Sequence, residues 1–306
     1  MYGCDLKKLT QDRALHTPEL HSSNDFYGHA FILKRYAGLP TTYSTKLAIA
    51  HGPQRPGGWW EHDLNAALPG YCVSSELARQ AAKSARPDKE VFAMGPLIAY
   101  ASPIWEPQQA AALKSRLGKS LLCFLSHSTH HIRVDYDLDV CLDVIAENGK
   151  EFDSVTVSIY WKDYNADLES RLSSRGFHCV TAGHMYDKFF LDRLLSYLLL
   201  SDAVLCFGYV SALIYAAYLE KLIKIVPIER RYTATPEMLA TLSKSKFDLL
   251  VEKSFQEFSP LTQAQYDLLD TIGGFNEVKT PRELRNILLD MEEAYSNIDV
   301  SCLRFF

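Results

Sequence analysis

The sequence predicts an α/β protein: two open, doubly wound domains facing a central cleft, followed by a helical C-terminal segment. Three observations lead there. Short apolar runs recur, each is followed by turn residues and a longer helical pattern, and the alternation restarts after a proline-rich connector at residues 95–107, GPLIAYASPIWEP. Such alternation marks parallel strands whose crossover helices cover the sheet faces. The length of 306 residues agrees, being about twice the roughly 150 of an average domain.

Residues 26–36 read as a helix, and residues 46–50 (KLAIA) as a strand. A second strand at 70–73 runs into Ser74, a serine-capped helix covers 75–84, and residues 90–94 (EVFAM) form a third strand. The connector places a boundary near residues 100–118, with domains drawn at 1–112 and 113–280. The second domain opens with strand 120–125 (SLLCFL) and continues with strand 155–160 (VTVSIY), helix 167–175 and strand 178–181 (HCVT). Helix 187–200, strand 203–207 (AVLCF), helix 211–219 and strand 222–226 (LIKIV) follow. Five strand-like runs separated by helices predict a doubly wound sheet. From about residue 236 the pattern is helical, and the last segment, 281–306, is long enough to cross back over the first domain.

Composition excludes several classes. The chain is 47% apolar and 23% charged, a balance that buries cores rather than leaving the chain disordered. Lysine and arginine number 32 against 37 acids, giving a net charge of −5, so there is no basic excess to bind nucleic acid. Seven cysteines without a C-x-x-C pair fit reduced thiols in a cytoplasmic protein, and Cys72, Cys123, Cys179 and Cys206 sit in core-like surroundings. No apolar stretch is long enough for a signal sequence or a membrane span, so a cytosolic place is expected. The tail at 302–306 (CLRFF) offers at most a peripheral membrane contact, and docking on the core explains it better.

Ligands of doubly wound sheets bind beyond the carboxyl ends of strands, so the loops there hold the candidate residues. The first follows KLAIA. His51 ends the strand and is the candidate general base, because an imidazole that titrates near neutrality can take a hydroxyl proton. Asp63 or Glu61 could orient it or contact an acceptor; Arg55, Trp59, Trp60 and Glu61 are the candidate acceptor-binding residues. A plain surface loop packed by its own aromatics is the competing reading.

The second loop carries His127, Ser128, Thr129 and His130, whose hydroxyls and imidazoles suit donation to a phosphate. Its histidine spacing does not suggest a metal, although imidazole is a common ligand, and an ordinary strand-to-helix turn is the alternative. The third contains Gly183 and His184, the latter expected near the base or ribose edge of a nucleotide. The fourth is the most informative: a strand runs into Gly208 and Tyr209, and Ser211 opens a helix of small residues whose first amide groups make an anion site. Simple capping by Ser211 competes with that reading.

The order of these motifs resembles the GT-B class of glycosyltransferases. Within it, the chain is similar to the bacterial surface-polysaccharide branch that includes the CDP-glycerol glycerophosphotransferases and capsular sugar transferases. The matching features are a strand ending in His-Gly, a second strand ending in hydroxyls (YCVSSE, residues 71–76), the crossing VFAMGP (residues 91–96), and an SD-strand-turn-S-helix-K-strand segment at residues 201–226. The resemblance covers about residues 46–226 and implies two Rossmann-like domains, the first on the acceptor side and the second binding the nucleotide. It implies His51 as base and Ser211 at the donor phosphate. The chain departs from the pattern at Phe207–Ser211 and lacks the lysine after His-Gly, Arg55 being the nearest cation. It also lacks a His-Pro pair, which leaves the donor base open.

The expectation is therefore a metal-independent glycosyltransferase of the cytoplasm, free or at the inner face of the membrane. It has no cofactor and moves a sugar from a nucleotide-sugar donor to a glycan or lipid-linked acceptor in surface polysaccharide synthesis. Helix amino termini and hydroxyl or imidazole donors would stabilise the leaving phosphate. The alternatives are a sugar-nucleotide epimerase or hydrolase of the same architecture, or a non-catalytic glycan- or nucleotide-binding protein in which Trp59, Trp60 and Trp105 form contact surfaces.

Overall fold

Three short strands, β1 (Leu47–Ile49), β2 (Gly70–Val73) and β3 (Glu90–Ala93), pair in parallel in the order β1-β2-β3. In this computed structural model the described residues are 2–14, 19–236, 239 and 245–297. The chain divides into two compact units. One comprises Met1–Arg13, Ser102–Met185 and Asp192–Leu268; the other comprises Ala14–Ala101, Tyr186–Leu191 and Leu269–Phe306.

The three-stranded sheet belongs to the second of these. Every residue of β1 and β2 is buried, as uninterrupted apolar runs require in a sheet covered on both faces. Helix Glu76–Ala85 starts at Ser75, whose hydroxyl accepts the Ala78 N–H. Its Ala78 and Ala82, four residues apart, enter the core with Ala48, Tyr71, Val73 and Val91. Helix Pro281–Ser296 is fixed by a reciprocal capping box between Thr280 and Glu283 and buries Leu284, Leu288 and Met291. It packs so near the start of β2 that a Cβ on Gly70 would lie 2.7 Å from the Met291 sulfur.

The helix expected over residues 26–36 is broken. A 3₁₀ turn, Phe26–Gly28, precedes an α-helix at His29–Tyr36, and Tyr27 and Gly28 both have positive φ, 55° and 76°. Only glycine fits at the break, since a Cβ on Gly28 would stand 2.2 Å from the Lys188 carbonyl oxygen. The expected tail contact at residues 302–306 lies outside the described residues.

The other unit holds β4 (Ser120–Phe124), β5 (Arg133–Asp135), β6 (Ser154–Ser158), β7 (His178–Val180), β8 (Ala203–Cys206), β9 (Leu222–Ile225) and β10 (Arg231–Thr233). Five of them make a parallel sheet in the order β7-β6-β4-β8-β9. The chain winds outward from β4 to β6 and β7, then returns to lay β8 and β9 on the other side of β4, which is the doubly wound course. Leu121, Cys123, Val157, Leu205 and Phe207 form its core with Cys141, Leu142 and Ile145 from helix Leu138–Gly149. The remaining strands, β5 and β10, form an antiparallel ribbon that no apolar run announces.

Asp202 ties the strand starts together. One of its carboxylate oxygens accepts the Ser120 N–H at 2.7 Å and pairs with the Lys114 ammonium. The described cysteines are all free thiols, and Cys72, Cys123, Cys141 and Cys206 are buried. Among the described residues no helix is long and apolar enough to cross a membrane.

Two glycines separate backbone strain from collision. Gly57 and Gly274 have φ of +74° and +63°, but an added Cβ meets nothing within 4 Å at Gly57 and lies 2.3 Å from the Ser74 carbonyl oxygen at Gly274. Denaturant unfolding is expected to show a loss of about 1 kcal/mol for Gly57→Ala, from the left-handed backbone alone. Gly274→Ala is expected to lose more than about 3 kcal/mol, because backbone must move against backbone.

Candidate functional site

The order of the five-stranded sheet places its topological switch point between β4 and β8, where connections leave in opposite directions and open a crevice at the strand ends. Residues 125–129 leave β4 there, and residues 207–211 leave β8. The structure adds a residue that the sequence reading missed, Arg230. Its side chain is only 13% exposed, and Nη1 donates to the Ser126 hydroxyl at 3.4 Å. The guanidinium lies against Gly208, where a Cβ would be 2.8 Å from Nη2 and 2.9 Å from Nη1. Gly208 has φ 140° and is buried, so glycine both permits the turn and leaves room for the cation.

Helix Ser211–Tyr218 begins three residues after Gly208. Val210, not Ser211, is its N-cap, and no side chain caps the first turn. Ser211 is exposed at the first helical position. Amide N–H groups at a helix start, a hydroxyl and a guanidinium are the donor set of a phosphate site. Glu252, which is buried, stands 4.0 Å from Arg230 and balances part of its charge.

The remaining candidates of this unit divide between loop architecture and ring packing. The Ser128 N–H donates to Asp163 at 2.9 Å, while its hydroxyl accepts the Val134 N–H at 3.2 Å. The Thr129 hydroxyl accepts the N–H groups of His131 and Ile132. His127 stacks on Tyr160 with ring centres 4.2 Å apart, and burial holds its imidazole below the ordinary histidine range. His130 is exposed, with its ring 5.5 Å from that of Trp161. Burial, followed by the Lys162 charge, lowers its pKa.

Gly183 and His184 follow β7, the edge strand farthest from β8 on that side of the sheet. Gly183 takes φ 101°, and its N–H donates to the Thr181 hydroxyl. His184 is 0% exposed: its ring packs 3.9 Å from that of Trp161, Nε2 lies 3.1 Å from Asp12 Oδ1, and its N–H donates to the Leu9 carbonyl. The structure thus spends His184 on anchoring the N-terminal segment, and it has no surface for the nucleotide edge expected of it. Tyr209 sits half-buried, edge-on to Phe247.

In the three-stranded unit, β1 delivers His51 to its carboxyl end, half-buried. Its ring is framed by Phe26 at 5.0 Å, Tyr27 at 5.4 Å and Trp60 at 5.6 Å. Asp63 is 2% exposed and does not address the imidazole; Oδ2 accepts the backbone N–H of His51 at 3.2 Å. Its Oδ1 takes His21 Nε2 at 3.0 Å and the Ser23 hydroxyl. Asp63 therefore positions the chain that carries the base. Trp59 and Trp60 are 37% and 45% exposed, and Arg55 and Glu61 are exposed as well, with Glu61 accepting from Asn65. Among the described residues, His21, His62 and Asp63 form the one group of His, Cys, Asp or Glu side chains close enough together to hold an ion.

His29, 1% exposed, lies behind this wall. Burial, reinforced by His51, lowers its pKa from 6.5 to about 3. An unfolded chain takes up this proton below pH 6.5 and the folded chain does not, so the contribution of neutral His29 is complete above 6.5 and is lost as pH falls toward 3. Unfolding measured from pH 7 to 4.5 is expected to show a shallower loss of stability in His29→Gln than in the natural chain.

No protein-family model matches the sequence, and no curated protein matches it. Solved structures are similar to it. A UDP-glucosyltransferase from Polygonum tinctorium is 12% identical with a TM-score of 0.33, over 88% of this chain and 63% of that one. The wall teichoic acid polymerase TagF is 11% identical with a TM-score of 0.44, over 82% and 66%. MnaA of S. aureus, in complex with UDP, is 9% identical with a TM-score of 0.43, over 89% and 82%. This chain spans less than two thirds of the length of the first two. The similarity is confined to the course of the backbone.

Proposed function

We propose that the protein is a glycosyltransferase that moves a sugar from a nucleotide-sugar donor to a hydroxyl of a glycan or lipid-linked acceptor, in surface polysaccharide synthesis at the cytoplasmic side of a membrane. The observation that carries the reading is Arg230, laid against Gly208 and Ser126 at the switch point of a doubly wound sheet. A half-buried guanidinium against the Gly208 turn that leads to an uncapped helix start suits the phosphates of a nucleotide more than a neutral ligand. The motif order from the His51 strand to the Ser201–Asp202 segment supports glycosyl transfer among nucleotide-dependent reactions.

In this mechanism the acceptor hydroxyl attacks the sugar carbon bonded to the donor phosphate. His51 takes the hydroxyl proton as the new carbon–oxygen bond forms. The bond to phosphate breaks, and the charge left on its oxygen is met by Arg230, the first amides of helix Ser211–Tyr218 and the Ser126 and Ser211 hydroxyls. Asp63 holds the His51 main chain, while Trp59, Trp60, Arg55 and Glu61 provide an exposed aromatic and polar surface for the acceptor. The nucleotide sugar is substrate, and the step as written draws on no resident cofactor.

Thermal shift against UDP-, GDP-, CMP- and CDP-linked sugars is expected to find one stabilising class. Arg230→Ala should weaken that binding by about tenfold or more, since a charge-assisted hydrogen bond contributes about 1.5–3 kcal/mol, and should also lower the ligand-free midpoint, because buried Glu252 loses the cation that offsets its charge, so affinity is compared well below that midpoint. Undiminished binding in that variant would remove the basis of the reading.

His51→Gln is expected to cut transfer by about 10²- to 10⁴-fold with donor affinity retained. Equal loss of binding and transfer would count against a base. Donor hydrolysis or epimerisation without an acceptor would replace transfer by that chemistry.

A further inference from the structure

We infer that His21, His62 and Asp63 form a zinc site that pins the loop bearing His51. One ligand atom from each residue lies within 4.8 Å of the other two. His21 Nε2 and Asp63 Oδ1 are already 3.0 Å apart. Two ligands on one tetrahedral ion with bonds of about 2.0–2.2 Å stand about 3.3–3.6 Å from each other, so this edge of the polyhedron is nearly preformed. The rings of His21 and His62 are 4.7 Å apart and inclined by 32°. His62 is exposed, so its side chain can swing the remaining distance at little cost.

The chain presents these groups from two segments. His62 and Asp63 are successive residues of the short helix Glu61–Leu64, and His21 precedes the 3₁₀ turn Ser22–Asn24 with extended backbone and no capping bond from its side chain. Two imidazoles and one carboxylate suit zinc, whereas magnesium and calcium prefer oxygen sets. The carboxylate is already oriented, because the Ser23 hydroxyl reaches Oδ1 and the His51 N–H holds Oδ2. Three protein ligands leave the fourth position to water. An ion there joins residues 21–24 to the loop at 51–63 and stiffens the main chain that presents the His51 imidazole. This departs from the metal-free expectation for the protein without placing the ion on the transferred group.

Zinc titrated calorimetrically into the chelator-treated full chain is expected to bind one ion at this site and to raise Tm by about 5 °C at hundredfold excess over Kd. Magnesium is expected to leave Tm unchanged. His62→Ala, at an exposed position, should keep the metal-free Tm within about 1 °C. It should weaken zinc binding by at least the roughly 10- to 100-fold that loss of an outer-shell partner costs. Cobalt should give the visible absorption of a low-coordinate ion in the natural chain and lose it in His62→Ala. Absence of zinc binding, or binding undiminished in His62→Ala, overturns the assignment. None of these readouts uses donor or acceptor, so the result is independent of the proposed transfer.

Discussion

The pairing of β4 with β8 is the constraint on which the candidate donor site depends. Leu121 through Phe124 register against Ala203 through Cys206, so the chain emerges from both strands at the same level, with Ser126 on one side and Gly208 on the other. A slip of one residue in either strand would turn its members of the shared cluster, Leu121 and Cys123 or Ala203 and Leu205, to the opposite face. Asp202 reinforces the register by holding the first amide of β4 from the start of β8. With that level fixed, the return of the chain after β9 brings Arg230 against Gly208 and beside Ser126.

Buried carboxylates organise both candidate regions. Glu252 offsets the charge of Arg230 inside one unit, and Asp63 gathers three donors inside the other. Removing an ion from water costs several kcal/mol unless partners replace the lost hydration, so these groups are kept where their partners are dense. The consequence differs between the two. Arg230 retains part of its surface and can meet an anion, whereas Asp63 is almost wholly buried and holds the backbone of His51.

Burial also sorts the histidines. His29, His127 and His184 are pushed toward the neutral form by loss of hydration, which keeps positive charge out of the packed regions around neutral pH. Their rings serve packing against Tyr27, Tyr160 and Trp161. His51 differs in position, standing at a strand end within an aromatic frame and half open to solvent.

The sequence by itself determined the eight parallel strands nearly to the residue, because continuous apolar runs of four to six residues bounded by turns leave little choice of conformation. It also marked His51 and Gly208 as residues at strand ends. The ribbon of β5 and β10 escaped, being only three residues long in each strand and half-exposed, and the need for glycine at position 28 comes from the distant Lys188 carbonyl. Arg230 meets Ser126 across 104 residues, and His21 meets Asp63 across 42. No local pattern encodes such pairs. Only the tertiary structure decided that Arg230 faces the switch point, that Asp63 holds main chain rather than imidazole, and that His184 is buried, because each follows from which distant surfaces the packed sheets bring together.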